Sequence, residues 1–187
     1  MKTFAGKAAV ASAVMALVLG AAAPAGAALD VGQRAPAFSA PAALGGKPFT
    51  YSLSAALARG PVVVYFFPAA FTQGCSIEAH AFAEAIDQFA ALGATVIGVS
   101  TDDIDTLAKF SSQACQGRFP VASDADKAIS RSFDAIMQTR PDYATRVSYV
   151  IAPDGTVAAQ YQSLNPDKHV EKMLDAVRAL PRGAAAK

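Results

Sequence analysis

Residues 66–82, FFPAAFTQGCSIEAHAF, contain Cys75, one of only two cysteines in a chain of 187 residues. A cysteine is a nucleophile in its thiolate form. The apolar run before this stretch is typical of a buried strand, and the spacing of apolar residues after it is typical of a helix. Cys75 therefore falls in the first turn of that helix, where unpaired backbone N–H groups and the helix dipole favour a thiolate. These features predict a site of thiol chemistry.

The neighbours of Cys75 have side chains that could assist such chemistry. Thr72, three residues before it, can cap the helix and place a hydroxyl beside the sulfur. Pro68 shapes the preceding loop and removes one competing backbone N–H. Glu78, one helical turn later, can accept hydrogen bonds from an arginine and so order the site. The alternative interpretation is that Cys75 is a buried structural cysteine at a helix start.

The rest of the chain alternates predicted strands with predicted helices. Apolar, β-branched runs predict the strands, and apolar residues at helical spacing predict the helices. A Pro-Asp-Gly turn joins the last two strands as a hairpin. The predicted elements are a strand in 61–67, a helix from about residue 72 to Gly93, a strand in 94–100, a helix in 102–117, a helix that holds Ile129, Phe133 and Ile136, a hairpin in 146–162, and a helix around 170–177.

This order of elements predicts an α/β fold with a thioredoxin-like sandwich. Strands that alternate with helices imply a parallel centre covered on both faces, and the closing hairpin adds antiparallel strands to make a mixed central sheet. Residues 29–59 are rich in Gly, Pro and Ser and are predicted to form an N-terminal extension of extended chain and turns. The helix around Ile129 is predicted to be an insertion.

The first 27 residues have the plan of a secretory signal peptide. Lys2 and Lys7 precede an apolar stretch that is short for a membrane span, and Ala25-Gly26-Ala27 is a candidate cleavage site. We therefore expect a signal peptide in 1–27, one domain in 28–187, and an exported, periplasmic protein. That compartment permits a disulfide between the two cysteines. The net charge of +1 gives no indication of binding to nucleic acid or to an anionic membrane.

The spacing Pro68-x-x-x-Thr72-x-x-Cys75 resembles the active-site signature of the peroxiredoxins. The surrounding VVVYFFPAAFTQGCSIEAHAF is similar to the Q-type subgroup, also called bacterioferritin-comigratory proteins. The segment DVGQRAPAFSAPAALGGKPF resembles the opening of that family, and ATRVSYVIAPDGTVAAQY resembles its closing hairpin. The resemblance therefore extends over most of the chain after residue 27.

The resemblance implies a thiol-dependent peroxidase that needs no metal, flavin or haem. Cys75 would be the peroxidatic nucleophile, Thr72 would hydrogen-bond the peroxide and the sulfur, and Pro68 would shield the site. Arg146 would stabilise the thiolate and polarise the peroxide, and Glu78 would position that arginine. Composition alone would favour a surface role for Arg146, and Arg140 is a weaker candidate for the same function.

The second half of the catalytic cycle is less well defined by the sequence. Many Q-type members have a resolving cysteine five residues after the first, but this chain has His80 there. Cys115, 40 residues after Cys75 and near the end of the second predicted helix, is the remaining candidate. We expect the two cysteines to lie beyond bonding distance in the reduced fold. The start of the first helix and the end of the second must then open before a disulfide can form. Alternatively, Cys115 packs in the core and the enzyme uses one cysteine.

The expected substrate is hydrogen peroxide, with organic hydroperoxides as a second candidate. The expected reductant is a thioredoxin-like or glutaredoxin-like protein or a small thiol, and we expect a monomer. Three other classes of protein fit less well. A thiol–disulfide oxidoreductase needs C-x-x-C, but position 78 is Glu78. A glutathione-peroxidase-like site needs a tryptophan, and the chain has none. A copper-delivery site needs a second cysteine at position 79, where this chain has Ala79. A non-catalytic exported domain with a structural Cys75–Cys115 disulfide remains as a further alternative.

Overall fold

The computed structural model describes Met1 and residues 28–181. The predicted signal peptide lies outside the described residues, except for Met1. Within the part that the structure describes, no helix combines the length and the hydropathy that a membrane span requires.

Seven strands and five helices follow one another along residues 39–179, with a short 3₁₀ helix before the last helix. The strands are β1 (Ser39–Leu44), β2 (Lys47–Ser52), β3 (Val62–Phe66), β4 (Thr95–Ser100), β5 (Val121–Ser123), β6 (Val147–Ile151) and β7 (Val157–Gln162). The helices are α1 (Leu53–Leu57), α2 (Gln73–Ala91), α3 (Ile104–Gln113), α4 (Ala128–Ser132) and α5 (His169–Ala179), and the 3₁₀ helix is Pro166–Lys168.

The strands form one mixed sheet in the order β2-β1-β5-β4-β3-β6-β7. Strand β4 pairs in parallel with both β3 and β5. Strand β6 pairs antiparallel with β3 and forms the C-terminal hairpin with β7. The predicted mixed α/β sheet with a parallel centre is therefore confirmed.

Strand β3 is buried on both faces, as its sequence VVVYF predicts. Because side chains alternate along a strand, Val64 and Phe66 belong to one apolar cluster, whereas Val63 and Tyr65 belong to the other. The second cluster packs under α2, α3 and α5 and contains both cysteines. The candidate site is therefore built on the face of the sheet that these three helices cover.

Two local predictions are wrong. The N-terminal extension is more ordered than expected, because residues 39–52 form the hairpin of β1 and β2 and a short helix follows. The predicted third helix is short, because it ends at Ser132 and Asp134 then adopts a left-handed φ of 51°. Ile136 consequently lies outside the helix and pairs with Ala144 in an isolated β-bridge.

Candidate active site

Cys75 lies in the first turn of α2, directly after the loop that follows β3. Its side chain is buried, with an exposed fraction of 1%. Cys75 is the third residue of α2, and the backbone N–H groups of the first helical residues have no intrahelical partner. The sulfur therefore lies near the positive end of the helix dipole. Cys75 and Cys115 are both free thiols.

Arg146 contacts the sulfur through a guanidinium group whose three nitrogens are all engaged. Nη2 donates to Cys75 Sγ at 3.3 Å, Nη1 donates to Glu78 Oε2, and Nε donates to the Leu164 carbonyl at 3.0 Å. The sheet explains this placement, because β6 runs antiparallel to β3 and Val147 lies opposite Phe66. The residue before β6 is therefore brought to the edge where β3 leads into the loop before Cys75.

Arg140, the other candidate for this function, lies elsewhere. Its guanidinium stacks over the ring of Tyr143 at 4.4 Å from the ring centroid. Its side chain is exposed. The structure thus brings Arg146, and not Arg140, to the thiol.

Gly74 leaves room for the arginine. A Cβ atom at this position would lie 3.2 Å from Arg146 Nη2, which is a closer approach than side chains normally make. Since Gly74 precedes Cys75 in the first turn of α2, any larger residue would press on the guanidinium at the point where it meets the sulfur.

Glu78 follows Cys75 by one helical turn and is completely buried. Its Oε2 accepts the hydrogen bond from Arg146, whereas its Oε1 has no hydrogen-bond partner among the described residues. Burial raises the pKa of Glu78 to about 8, although the charge and the hydrogen bond of Arg146 act in the opposite direction. Glu78 thus accepts from Nη1 of the same guanidinium whose Nη2 contacts the Cys75 sulfur.

His169, the first residue of α5, is completely buried behind Glu78. Its Nδ1 lies 3.5 Å from Glu78 Oε1 and 2.8 Å from Ser148 Oγ, and its Nε2 lies 3.0 Å from the Ser163 carbonyl oxygen. Burial lowers the pKa of His169 to about 4. Sequence reasoning assigned no function to His169 and did not consider Ser148. The available signal was a serine inside the otherwise apolar strand VSYVI.

Thr72 and Pro68 lie in or beside the loop before α2, and Thr72 is the N-cap residue as predicted, but the capping hydrogen bond of its side chain does not form. Thr72 occupies the N-cap position without a capping hydrogen bond from its side chain. Its hydroxyl instead donates to the Ala69 carbonyl at 3.0 Å. The chain turns sharply at Phe71, which has a left-handed φ of 62°, and this turn brings Ala69 within reach. Pro68 is half-buried at the start of the loop.

Asp102 anchors this loop, and the sequence did not predict that function for it. Its Oδ2 accepts hydrogen bonds from the backbone N–H of Ala70 at 2.7 Å and from Ser100 Oγ at 2.6 Å. Asp102 and Asp103 are adjacent at the start of the helix predicted in 102–117, and either aspartate could cap it. The structure assigns that function to Asp103, whose carboxylate accepts from the Thr106 N–H at 2.8 Å. Asp102 is thereby free to hold the loop that leads to Cys75.

Cys115 lies in the turn after α3, and not within the helix as predicted, because the helix ends at Gln113. The side chain is completely buried, and burial raises the pKa of this thiol well above its usual range. The next residue, Gln116, has a left-handed φ of 52° and hydrogen-bonds His80 Nδ1 at 2.8 Å. His80 is exposed on α2. The turn that carries Cys115 is therefore hydrogen-bonded to α2 at a position five residues after Cys75.

The arrangement can stabilise a thiolate and an oxygen anion next to it. A buried cationic donor, a helix N-terminus and a buried thiol meet at one point. Such donors are most effective where negative charge develops in a site that excludes water. Within residues 28–181, no group of three or more His, Cys, Asp or Glu side chains could hold a metal ion.

Comparisons with known proteins give the same family. The model of the AhpC/TSA family matches residues 31–160. Peroxiredoxin Bcp of Xanthomonas campestris is 30% identical over 125 residues, which cover 63% of this chain and 76% of that protein. The chloroplastic peroxiredoxin Q of Gentiana triflora is 35% identical over 117 residues, which cover 61% of this chain and 52% of that protein.

A solved structure extends the similarity to the fold. The crystal structure of peroxidoxin BcpB from Mycobacterium tuberculosis superimposes with a TM-score of 0.73 at 30% sequence identity, and the match covers 81% of this chain and 97% of that chain. The predicted thioredoxin-like architecture is confirmed by this match. The chain belongs to the AhpC/TSA family and is a peroxiredoxin of the Q/Bcp-like subgroup, a thiol-dependent peroxidase.

Proposed function

We propose that Cys75 is the peroxidatic cysteine and that it reduces hydrogen peroxide through a sulfenic acid. The observation that carries this proposal is the 3.3 Å contact between Arg146 Nη2 and Cys75 Sγ in a buried site at the start of α2. Thr72 and Pro68 shape the entrance to this site, and Glu78 positions Arg146.

The chemistry follows from the positions of the donors. The Cys75 thiolate attacks one oxygen of the peroxide, an S–O bond forms, and the O–O bond breaks. Both electrons of the broken bond go to the departing oxygen, which takes up a proton and leaves as water or an alcohol. Cys75 is oxidised to a sulfenic acid. The Arg146 guanidinium and the first N–H groups of α2 favour this step because they stabilise negative charge on the thiolate and on the departing oxygen.

We propose that Cys115 resolves the sulfenic acid. Its thiol would attack the Cys75 sulfur, form a disulfide and release water. This step requires movement, because Cys115 is completely buried and its raised pKa keeps it protonated. The left-handed residue Gln116 and the end of α3 at Gln113 mark the segment that would open.

The complete burial of Cys115 also supports a second candidate, a one-cysteine cycle. In that case an external thiol would reduce the Cys75 sulfenic acid directly, and Cys115 would only pack in the core. In either cycle we propose that a thioredoxin-like or glutaredoxin-like protein or a small thiol supplies the electrons. The signal-peptide pattern of residues 1–27 supports a periplasmic location.

The experiment is intact-mass analysis of the reduced protein before and after one equivalent of hydrogen peroxide, followed by non-reducing peptide mapping. Loss of two hydrogens with a Cys75–Cys115 cross-link supports the two-cysteine cycle. Gain of one oxygen on Cys75 alone supports the one-cysteine cycle. If neither cysteine changes within the time that free cysteine needs to react, Cys75 is not a peroxidatic residue. Cys115→Ser is the matched variant, and it should accumulate the sulfenic acid in either cycle.

A further inference from the structure

The hydrogen bonds of His169 define which of its nitrogens carries hydrogen. A carbonyl oxygen can only accept a hydrogen bond, so the 3.0 Å contact between Nε2 and the Ser163 carbonyl requires a hydrogen on Nε2. In the neutral imidazole Nδ1 then presents a lone pair. This lone pair faces Ser148 Oγ at 2.8 Å and Glu78 Oε1 at 3.5 Å.

Glu78 Oε1 is a buried oxygen to which none of the described residues donates a hydrogen bond. If Glu78 were ionised, this oxygen would turn its own lone pairs toward the lone pair of His169 Nδ1, with no hydrogen between them. If Oε1 carries a proton, the same two atoms become a donor and an acceptor. Protonation of Glu78 therefore removes an unsatisfied buried polar atom, which otherwise has a substantial desolvation cost.

A count of charges that takes Cys75 as the proposed thiolate gives the same result. Ionised Cys75 and Glu78 together with Arg146 would leave one net negative charge in a site where these three residues are at most 5% exposed. A neutral Glu78 leaves the thiolate and the guanidinium, whose charges cancel. Among the described residues, two further titratable groups face the pair: Tyr65 on β3 and Tyr161, whose ring packs edge-on against His169 from β7. Neither tyrosine can supply a compensating positive charge.

We propose that Glu78 is a neutral carboxylic acid at pH 7 and that its Oε1–H group donates a hydrogen bond to His169 Nδ1. Its other oxygen still accepts from Arg146, so the acid positions the guanidinium without neutralising it. The positive charge of Arg146 then acts undiminished on Cys75. The raised pKa of Glu78 and the lowered pKa of His169 agree with this arrangement. His169 and Ser148 are positioning residues, since neither touches the sulfur.

The chain is well suited to a direct test, because it contains only three glutamates, Glu78, Glu84 and Glu171. Glutamate labelled with ¹³C at the side-chain carboxyl would give three resonances, which Glu84→Gln and Glu171→Gln assign. The hydrogen bond and the charge of Lys168 lower the pKa of the exposed Glu171, so we expect its resonance to titrate below the usual range. We expect Glu78 to remain protonated through pH 7 and to titrate near pH 8. A Glu78 resonance that shows an ionised carboxylate at pH 7 would overturn the proposal.

Two variants separate this arrangement from simple packing. His169→Phe removes the acceptor of the acid proton and the lone pair that opposes the anion, so the Glu78 midpoint should fall by about one pH unit. Ser148→Ala removes the competing donor to Nδ1, so the midpoint should rise. His80→Phe is the matched control, because His80 is exposed and should leave the midpoint unchanged. Equal shifts in the same direction for both variants would contradict a shared proton.

This inference rests on the proposed function for the count of charges and for its consequence, which is a stronger effect of Arg146 on Cys75; the hydrogen-bond argument at His169 does not depend on it. We expect the rate of the Cys75 reaction with peroxide to decline above pH 8 as Glu78 ionises, and His169→Phe should move that decline to lower pH. The resonance of Glu78 is independent of turnover. A protonated Glu78 in a protein that does not react with peroxide would refute the proposed function alone, and an ionised Glu78 in an active enzyme would refute this inference alone.

Discussion

The carboxylate of Asp102 accepts a 2.7 Å hydrogen bond from the backbone N–H of Ala70 and so connects the end of β4 to the loop before Cys75. Ser100 and Ser123 fix Asp102 from the sheet side, through its carboxylate and its backbone carbonyl. The loop that precedes Cys75 is therefore held from the end of the neighbouring strand, one residue from the position at which the chain turns sharply.

We predict that Asp102→Ala loosens this loop. The free energy of unfolding should fall by about 1–3 kcal/mol because a partly buried N–H and hydroxyl lose their acceptor. The rate of the reaction of Cys75 with peroxide, measured by stopped-flow, should fall about tenfold because the donors around the sulfur are less well ordered. Asp103→Ala is the matched control. It removes a helix cap worth about 1 kcal/mol and should leave the rate unchanged. An equal loss of rate in both variants would show that general destabilisation is responsible.

Arg146→Lys tests whether the three hydrogen bonds of the guanidinium, and not only its charge, are needed for the reaction with peroxide. Lysine retains a positive charge but cannot contact Cys75, Glu78 and the Leu164 carbonyl in the fixed geometry of a guanidinium. The second-order rate constant with hydrogen peroxide should fall by about 10²–10³, the usual effect of losing a donor to a developing anion. Arg140→Lys changes an exposed side chain in the same way and should have no effect on the rate. A fully active Arg146→Lys enzyme would mean that charge alone is sufficient.

Gly74→Ala should separate stability from activity. Alanine is favoured over glycine inside a helix by about 1 kcal/mol, so thermal unfolding should be unchanged or shifted slightly upward. The added Cβ, however, would lie 3.2 Å from Arg146 Nη2 and displace it from Cys75. We therefore expect slower peroxide reduction in a protein that is no less stable. Ser76→Ala, two residues further along α2, is the control. A loss of stability parallel to the loss of rate would exclude this explanation.

The pH dependence of stability should reveal the buried Glu78. Its pKa is raised from 4.5 to about 8 on folding, so the folded state binds the proton that the unfolded state has already released, and this stability is lost as the pH rises toward 8. The pKa of His169 is lowered from 6.5 to about 4, so its contribution is present above pH 6.5 and is lost as the pH falls. The two effects cancel between pH 4.5 and 6.5, where the folded and unfolded states bind equal numbers of protons at this pair.

The free energy of unfolding should consequently fall by about 2 kcal/mol between pH 6.5 and 8 through Glu78. Glu78→Gln should abolish this fall, which urea titrations at a series of pH values can measure. Glu84→Gln, an exposed change on the same helix, should retain it. The test is the difference in unfolding free energy between wild type and Glu78→Gln, because other titrating groups act equally on both. A difference that does not change from about pH 6.5 to 8 would refute the assigned proton.

Local sequence predicted the parts of the fold that depend on local patterns. The apolar run of β3, the helix that ends before Gly93 and the hairpin at Pro-Asp-Gly are all present. The motif around Cys75 lies within one strand, loop and helix, so its spacing could be interpreted directly. Arg146 was found because the segment that contains it resembles a known family.

The residues that the sequence did not predict act across the sheet. Asp102 reaches a loop 32 residues away, and His169 meets Glu78 only because α5 packs beside α2. No periodicity encodes which of two adjacent aspartates caps a helix or which histidine is buried. Thr72 illustrates the same limit on a smaller scale. Its predicted capping bond is absent because the backbone turns at Phe71, and amino-acid preference does not indicate that turn.

The separation of the site residues along the chain has a consequence for how activity arises during folding. Arg146 lies 71 residues after Cys75, and it reaches the sulfur only when β6 has paired with β3. Contacts between residues so far apart in sequence form late, because closing the intervening loop costs conformational entropy before the contact can stabilise the fold. A growing or partly folded chain would therefore carry an ordinary thiol without its cationic partner. Reactivity toward peroxide would appear as the C-terminal hairpin joins the sheet, and it could serve as a sensitive signal that the last strands have docked.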